Sequence, residues 1–361
     1  MTTPTPTPTK PPLPDLEFTH NTDLNPSDDY LATVPRLRRV LHRPELGGTF
    51  GAYDRVANSA RKTFQRVGLV SVALASVSLL GTIAELCARA LSRAGTWSHF
   101  SVPLELCGVA AVLIALGLWF SRSHAKWLVA RFMTEQMRLW HFQSLMDGAF
   151  IGAAAAAPDE FEKDRAVRLA RFQSQTPNAV GAMSSFIDSE STRLFFEPSP
   201  YRDPSVADEV FRAYADLRIS KQLAYFRLKK EEVATRDEWS EGLAKFTLFG
   251  AVLLSAGQLL LAWAGWGEAH PGQTMGTWMQ AAALALVVLS AAVRVYRSAL
   301  AVPVQREHYE GKWVRLVALQ AQFEAARSQS AKLAVMGEFE LVELEELRYF
   351  LRVMRKASFL L

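Results

Sequence analysis

Four apolar blocks, each close to the length that crosses a bilayer, punctuate this chain of 361 residues. They lie at 67–86 (VGLVSVALASVSLLGTIAEL), 102–120 (VPLELCGVAAVLIALGLWF), 246–266 (FTLFGAVLLSAGQLLLAWAGW) and 278–293 (WMQAAALALVVLSAAV), the last extending back as far as Met275. Roughly 20 residues rising 1.5 Å each cover a hydrocarbon core of about 30 Å. Inside lipid every backbone N–H and C=O has to be paired within its own segment, so each block is expected to be a helix. Trp119, Trp263, Trp266 and Trp278 stand near block ends, where interfacial anchors sit. Small residues such as Ala73, Ala75, Gly250 and Gly257 let neighbouring helices approach closely. The expected fold class is an all-α membrane protein: four transmembrane helices as two hairpins, with long helices extending into the cytoplasm.

The basic residues orient these hairpins. Arg55, Arg61, Lys62 and Arg66 precede the first block, and Arg122, Lys126 and Arg131 follow the second. Lys229, Lys230, Arg236 and Lys245 precede the third, and Arg294 and Arg297 follow the fourth. The loop between the third and fourth blocks has no Lys or Arg, and that between the first two has only Arg89 and Arg93. The positive-inside rule then places both termini and the central region in the cytoplasm. The net charge of +4 is modest, and the basic residues gather beside the apolar blocks, so a nucleic-acid partner is not expected. Cys87 and Cys107, in or beside these blocks, read as buried free thiols, with a disulfide between them as the alternative.

The chain reads as one unit written twice. Residues 1–50 hold a Thr/Pro-rich arm (MTTPTPTPTKPPLP), expected to be disordered, and a basic segment. Residues 51–147 form the first unit, 148–205 a helical linker, and 206–361 the second unit. Each unit has a charged leading helix, a hairpin of two spans and a charged outgoing helix. Within the linker, Pro158 opens a short helix, and 178–204 reads as irregular with packed aromatics at Phe195, Phe196 and Tyr201. Residues 206–241 contain no Pro or Gly and are expected to run as one helix towards the third span. The C-terminal stretch, 312–361, reads as two helices broken near Gly337, the second packing under the bundle, with a place along the inner leaflet as the alternative.

No catalytic motif is present. The chain lacks GxxxxGK[ST], GxGxxG, GxSxG, HExxH and CxxC, and its seven histidines have no ligand spacing. No enzyme activity, cofactor or metal is therefore expected. The candidate intramembrane polar residues are Glu85, Glu105 and Gln258, since a carboxylate or amide at membrane depth suggests an ion path or helix-to-helix hydrogen bonding. Hydrated rim positions and helix contacts are their plainer reading. Two basic clusters, Arg165, Arg168 and Arg171, and Arg227, Lys229 and Lys230, are candidates for an anionic signal or lipid head groups, with a solvated face as the alternative.

The leading helix LRISKQLAYFRLKKEEVATRDEW, with Gln222, Tyr225 and Lys229, and the outgoing helix WLVARFMTEQMRLWHF, with Arg131, Glu135 and Arg138, carry a resemblance. Together with the hairpins they resemble the SLATT family, the SMODS- and SLOG-associating two-transmembrane effector domains, here as two copies fused in one chain. The resemblance covers about two thirds of the sequence and departs from the family's single hairpin. It implies an effector in the bacterial inner membrane that, in an anti-phage system, forms a pore or otherwise disrupts the membrane, causing growth arrest or death. Its implied partners are the lipid bilayer, further copies of itself, and a nucleotide second messenger or defence-system protein. Two rival classes remain: a channel or transporter subunit, and a membrane scaffold or sensor that recruits a soluble partner.

Overall fold

The computed structural model describes residues 23–90, 94–120, 123–174, 179–189, 193–264 and 272–356. The Thr/Pro-rich arm, Arg93 and the side chains of Arg89, Trp119, Trp266, Arg168 and Arg171 lie outside the described residues. Among those described, helices dominate, and β pairing is limited to one bridge between Asp147 and Ser199. The elements run α1 (Asp28–Thr33), α2 (Arg38–Leu41), α3 (Pro44–Ala90), α4 (Ala94–Phe120), α5 (Ser123–Gln143), α6 (Gly148–Ala156), α7 (Pro158–Ser174) and α8 (Ala179–Asp188). After a bend come α9 (Pro204–Tyr214), a π-turn (Ala215–Ser220), α10 (Lys221–Trp263), α11 (Gly272–Ala299), α12 (Val302–Ala325) and α13 (Gln329–Arg355).

Three helical stretches are long and apolar enough to cross a membrane: Pro44–Ala88, Pro204–Trp263 and Met275–Ala299. A fourth apolar helical stretch, Val102–Gly117, is shorter. Each hairpin is built: α3 packs along α4, and α10 along α11. The two hairpins meet through α3 and α11, giving a row in the order α4, α3, α11, α10. Leu113, Phe249, Leu259 and Leu260 are left more than half exposed along this row. Such a surface is costly in water and suited to hydrocarbon. Glycines set the close approaches. A Cβ at Gly81 would collide with the Leu104 side chain, and one at Gly257 would come within 2.8 Å of the Met279 methyl.

Both leading helices run unbroken into their spans. Helix α3 has 47 residues, about 70 Å at 1.5 Å per residue, more than twice what a bilayer core needs. The stretch 204–263 is likewise helical throughout, as the lack of Pro and Gly over 206–241 foretells. The extra length of both forms a helical bundle beyond the spans. There α5 folds back along α3, α12 folds back along α10, and α13 packs on both α5 and α12. The reversal before α12 turns on Ala301, in the left-handed region at φ 49°, with Pro303 in the first turn of the new helix. In both halves the outgoing helix thus folds back along the leading one, and α13 packs on both outgoing helices.

Three sequence expectations need correction. The break in the C-terminal stretch is not at Gly337, which lies buried inside α13. It falls at 326–328, where the Ser328 side chain accepts from the Ala331 N–H and caps the new helix. The stretch 178–204 is not irregular throughout, since α8 occupies its first part and buries Ala179, Met183 and Ile187 at helical spacing. Of the aromatics read as packed, Phe196 and Tyr201 are buried, but Phe195 is 44% exposed.

The basic segment before α3 also belongs to the core. Leu31, Leu37, Val40, Leu41 and Phe50 are each at most 1% exposed. Arg43 is buried with them, its Nε donating to the Val40 carbonyl and its Nη2 to Ser144 Oγ. It stacks over Trp140 at 5.0 Å. Burial, with the nearby Arg165 cation, pulls its pKa down to about 9. Cys87 and Cys107 are free thiols, the first buried and the second partly so.

Candidate functional site

The two units enclose a cavity of about 250 Å³ beside the span ends, lined from α3, α5, α10, α12 and α13. Its membrane-side wall is apolar and aromatic, with Phe64, Trp127, Phe350 and Met354. Trp127 meets Phe350 edge to face at 5.9 Å, joining the first unit's outgoing helix to α13. Farther from the spans the lining is charged, with six cations and six carboxylates in all. That balance disfavours a ligand of high net charge of either sign.

Most of these charges are already paired within the protein. Glu135 holds Arg131 at 2.6 Å and Arg138 at 2.9 Å, as their spacing of three and four on one helix face allows. Arg138 reaches on to Asp23 at 2.8 Å. These attractions outweigh the burial that opposes them and hold the Glu135 carboxyl below its usual range. Glu232 is shared between Lys229 and Arg236. Lys312 lies 3.0 Å from Glu343 and 3.5 Å from Glu346, bridging α12 to α13. Burial opposes ionisation of Glu346, but Lys312, His308 and Arg131 prevail and hold its carboxyl well below the usual range. Tyr225 and Tyr309 line the cavity, and burial raises both phenols.

A second buried network sits at the π-turn. Glu340 on α13 accepts from Arg218 Nε at 2.9 Å, from Arg218 Nη2 at 3.2 Å and from the Tyr214 hydroxyl at 2.7 Å. All three are essentially inaccessible to solvent. The π-turn adds one residue to the helical repeat, and such bulges mark places where a helix is re-aimed. Here it carries Arg218 to α13, so the second leading helix is anchored to the tie between the units.

The candidates from the sequence are dispersed. Glu85 is half-buried near the end of α3, and Glu105 is exposed on α4 of the same hairpin. Gln258 is half-buried on α10, in the other hairpin. Arg165 binds inward: its guanidinium donates to the Arg39 carbonyl at 3.1 Å and pairs with Glu162 at 2.6 Å. Arg227 pairs with Glu231, Lys229 with Glu232, and Lys230 with Glu310 over the Trp313 ring. Of the six basic candidates, only Lys229 faces the cavity among the described side chains. Sequence reasoning passed over Asp54, Asn58, Arg61 and Gln65, whose spacing of four, three and four places them on one face of α3 along the cavity. No group of three or more potential metal ligands occurs among the described residues. Comparison with protein-family models, with functionally characterised proteins and with solved structures finds no match to this chain.

Proposed function

We propose that this chain is an effector of the bacterial inner membrane. Both hairpins span the bilayer, the termini and the bundle are cytoplasmic, and activation lets the hairpins perturb the membrane as a pore or a lesion. The observation that carries the reading is mechanical continuity: each hairpin's first span is the upper part of a helix that also builds the bundle. A helix is stiff over this length, so a change in how the bundle seats its leading helices reaches the spans directly. The buried Glu340 network seats α13 on the second leading helix, and α13 in turn packs on the first unit's outgoing helix, with Phe350 against Trp127; together these contacts hold the two units in one arrangement, the resting one in this account. Exposed apolar faces along the row leave room for further copies of the chain, which a conducting assembly requires. The resemblance to the SLATT effectors supplies the setting, anti-phage defence with an infection signal as trigger. No covalent chemistry is assigned.

The test is membrane potential and dye uptake in bacteria expressing the chain, with insertion checked by membrane fractionation. Depolarisation on phage challenge supports a gated effector. An intact potential throughout, with the protein in the membrane, rejects it.

A further inference from the structure

We infer that the cavity between the units is a binding site for the head group of a zwitterionic phospholipid, seated with its phosphate towards the spans and its ammonium deeper in the bundle. The inference rests on the membrane placement given above, but not on any pore activity. It starts from the cavity charges that no direct ion pair holds. Among the described residues Arg61 reaches no carboxylate at ion-pair distance and acts on Glu232 only through space, while Asp54 accepts the Asn58 amide at 2.9 Å and acts on Arg131 only through space. Both line the cavity, on one face of α3. They are one cation and one carboxylate, seven residues or about 10 Å apart along the helix. A nearly compensated wall with one charge of each sign outside any direct ion pair suits a ligand that carries both signs and no net charge.

The order of those charges gives the orientation. Arg61 is the nearer to the first span, and Asp54 is two turns farther away. A phosphoethanolamine head has the same polarity when its acyl chains lie in the bilayer: phosphate first, ammonium beyond. Side chains on a helix lean towards its N-terminus, so the long Arg61 side chain tilts towards Asp54 and shortens the span to be bridged. The Tyr309 and Tyr225 phenols, both within electrostatic reach of Arg61, stand beside it on the opposite wall. The apolar rim of Phe64, Trp127, Phe350 and Met354 lies at the span end, where a glycerol backbone and the first methylenes would rest. A soluble phosphoethanolamine ester has the same head-group chemistry without the chains, and the rim is what favours the lipid.

The test is native mass spectrometry of the full chain released from detergent micelles, titrated in turn with phosphatidylethanolamine and phosphatidylglycerol. The expected result is retention of phosphatidylethanolamine at least fivefold above phosphatidylglycerol, with one lipid per chain. Arg61→Met should weaken retention of both lipids about tenfold. Asp54→Asn should weaken phosphatidylethanolamine alone and so erase the preference. Lys62→Met, at an exposed position beside Arg61, serves as the control and should leave retention unchanged. Helical content by circular dichroism shows that each variant is folded, and Tyr309→Phe provides a milder probe of the same wall. Soluble glycerophosphoethanolamine at millimolar concentration should compete weakly. Equal retention of the two lipids, unaltered by Arg61→Met and Asp54→Asn, would overturn the inference. Competition by the soluble ester as strong as by the lipid would assign the site to a soluble ligand and overturn the lipid reading. Membrane potential is not read in this experiment, so its failure is distinct from failure of the effector proposal.

Discussion

Replacing Glu340 with Leu removes the acceptor for two buried groups at once. The Arg218 guanidinium is 1% exposed and Tyr214 is fully buried. The nearest remaining carboxylate to Arg218 is Glu343, at 3.9 Å, already beside Lys312. Breaking a buried ion pair from one side costs about 3–5 kcal/mol, because the surviving charge stays desolvated. Glu343 offsets part of that, so the expected loss is about 3 kcal/mol, and the Tyr214 hydroxyl is not added separately because the groups form one network. Three kcal/mol is about a hundredfold in an opening equilibrium. The readout is amide hydrogen exchange of the purified chain in detergent, followed at the buried α13 amides, whose protection reports opening of the bundle. Glu340→Leu should exchange there about a hundredfold faster than the wild type. Arg218→Met combined with Glu340→Leu replaces the pair by apolar side chains and should recover most of the protection. If Glu340→Leu exchanges at the wild-type rate, or if the double variant is as labile as the single one, the reasoning about this network is wrong.

Other outcomes follow from the same contacts. His141 is fully buried, and burial together with Arg43 and Arg218 keeps its pKa well below the ordinary value of 6.5; His124 is lowered as well, chiefly by burial. Below that value the unfolded chain binds protons that the folded chain refuses, so stability is complete above about pH 6.5 and falls as the pH drops, by about 1.4 kcal/mol per unit for each such group. His141→Leu should flatten the slope between pH 6.5 and 5 in denaturant titrations, and an unchanged slope would exclude His141 as its source. Gly148→Ala should destabilise the bundle by about 1–3 kcal/mol, since the added Cβ runs into the Pro200 carbonyl, which is backbone and cannot swing aside. A wild-type denaturation midpoint would contradict that. If Glu85 and Glu105 line a conducting path, Glu85→Gln with Glu105→Gln should lower cation flux through the activated protein several-fold, and unchanged flux in vesicles would place both at the rim.

Three helices long and apolar enough to cross a membrane, and a shorter apolar fourth, were legible because lipid imposes a strong rule on sequence: about 20 apolar residues with a closed backbone. The long second leading helix was legible from its lack of Pro and Gly. Gly337 misled because glycine costs a helix interior only about 1 kcal/mol, which packing overrides, and Pro198 lies against it at 3.5 Å from where a Cβ would stand. Helix α8 was hidden by its Gly and Ser content, although Ala179, Met183 and Ile187 recur every fourth residue. Arg43 belongs by sequence to the basic segment ahead of the first block, yet tertiary packing takes it inside. The cavity was partly written in the sequence, in the Arg131, Glu135 and Arg138 spacing. Its meeting with α3 was not, because a face such as Asp54, Asn58, Arg61 and Gln65 looks like any solvated surface until a second helix covers it.

The central claim is that the bundle holds the hairpins in a state that does not perturb the membrane. The direct measurement is potassium leak from liposomes reconstituted with equal amounts of wild-type chain and of Glu340→Leu, the latter loosening α13 from the second leading helix. The account expects wild-type liposomes to stay tight and the variant to leak, with Arg218→Met plus Glu340→Leu tight again. Equal tightness of all three, at matched incorporation, would contradict it.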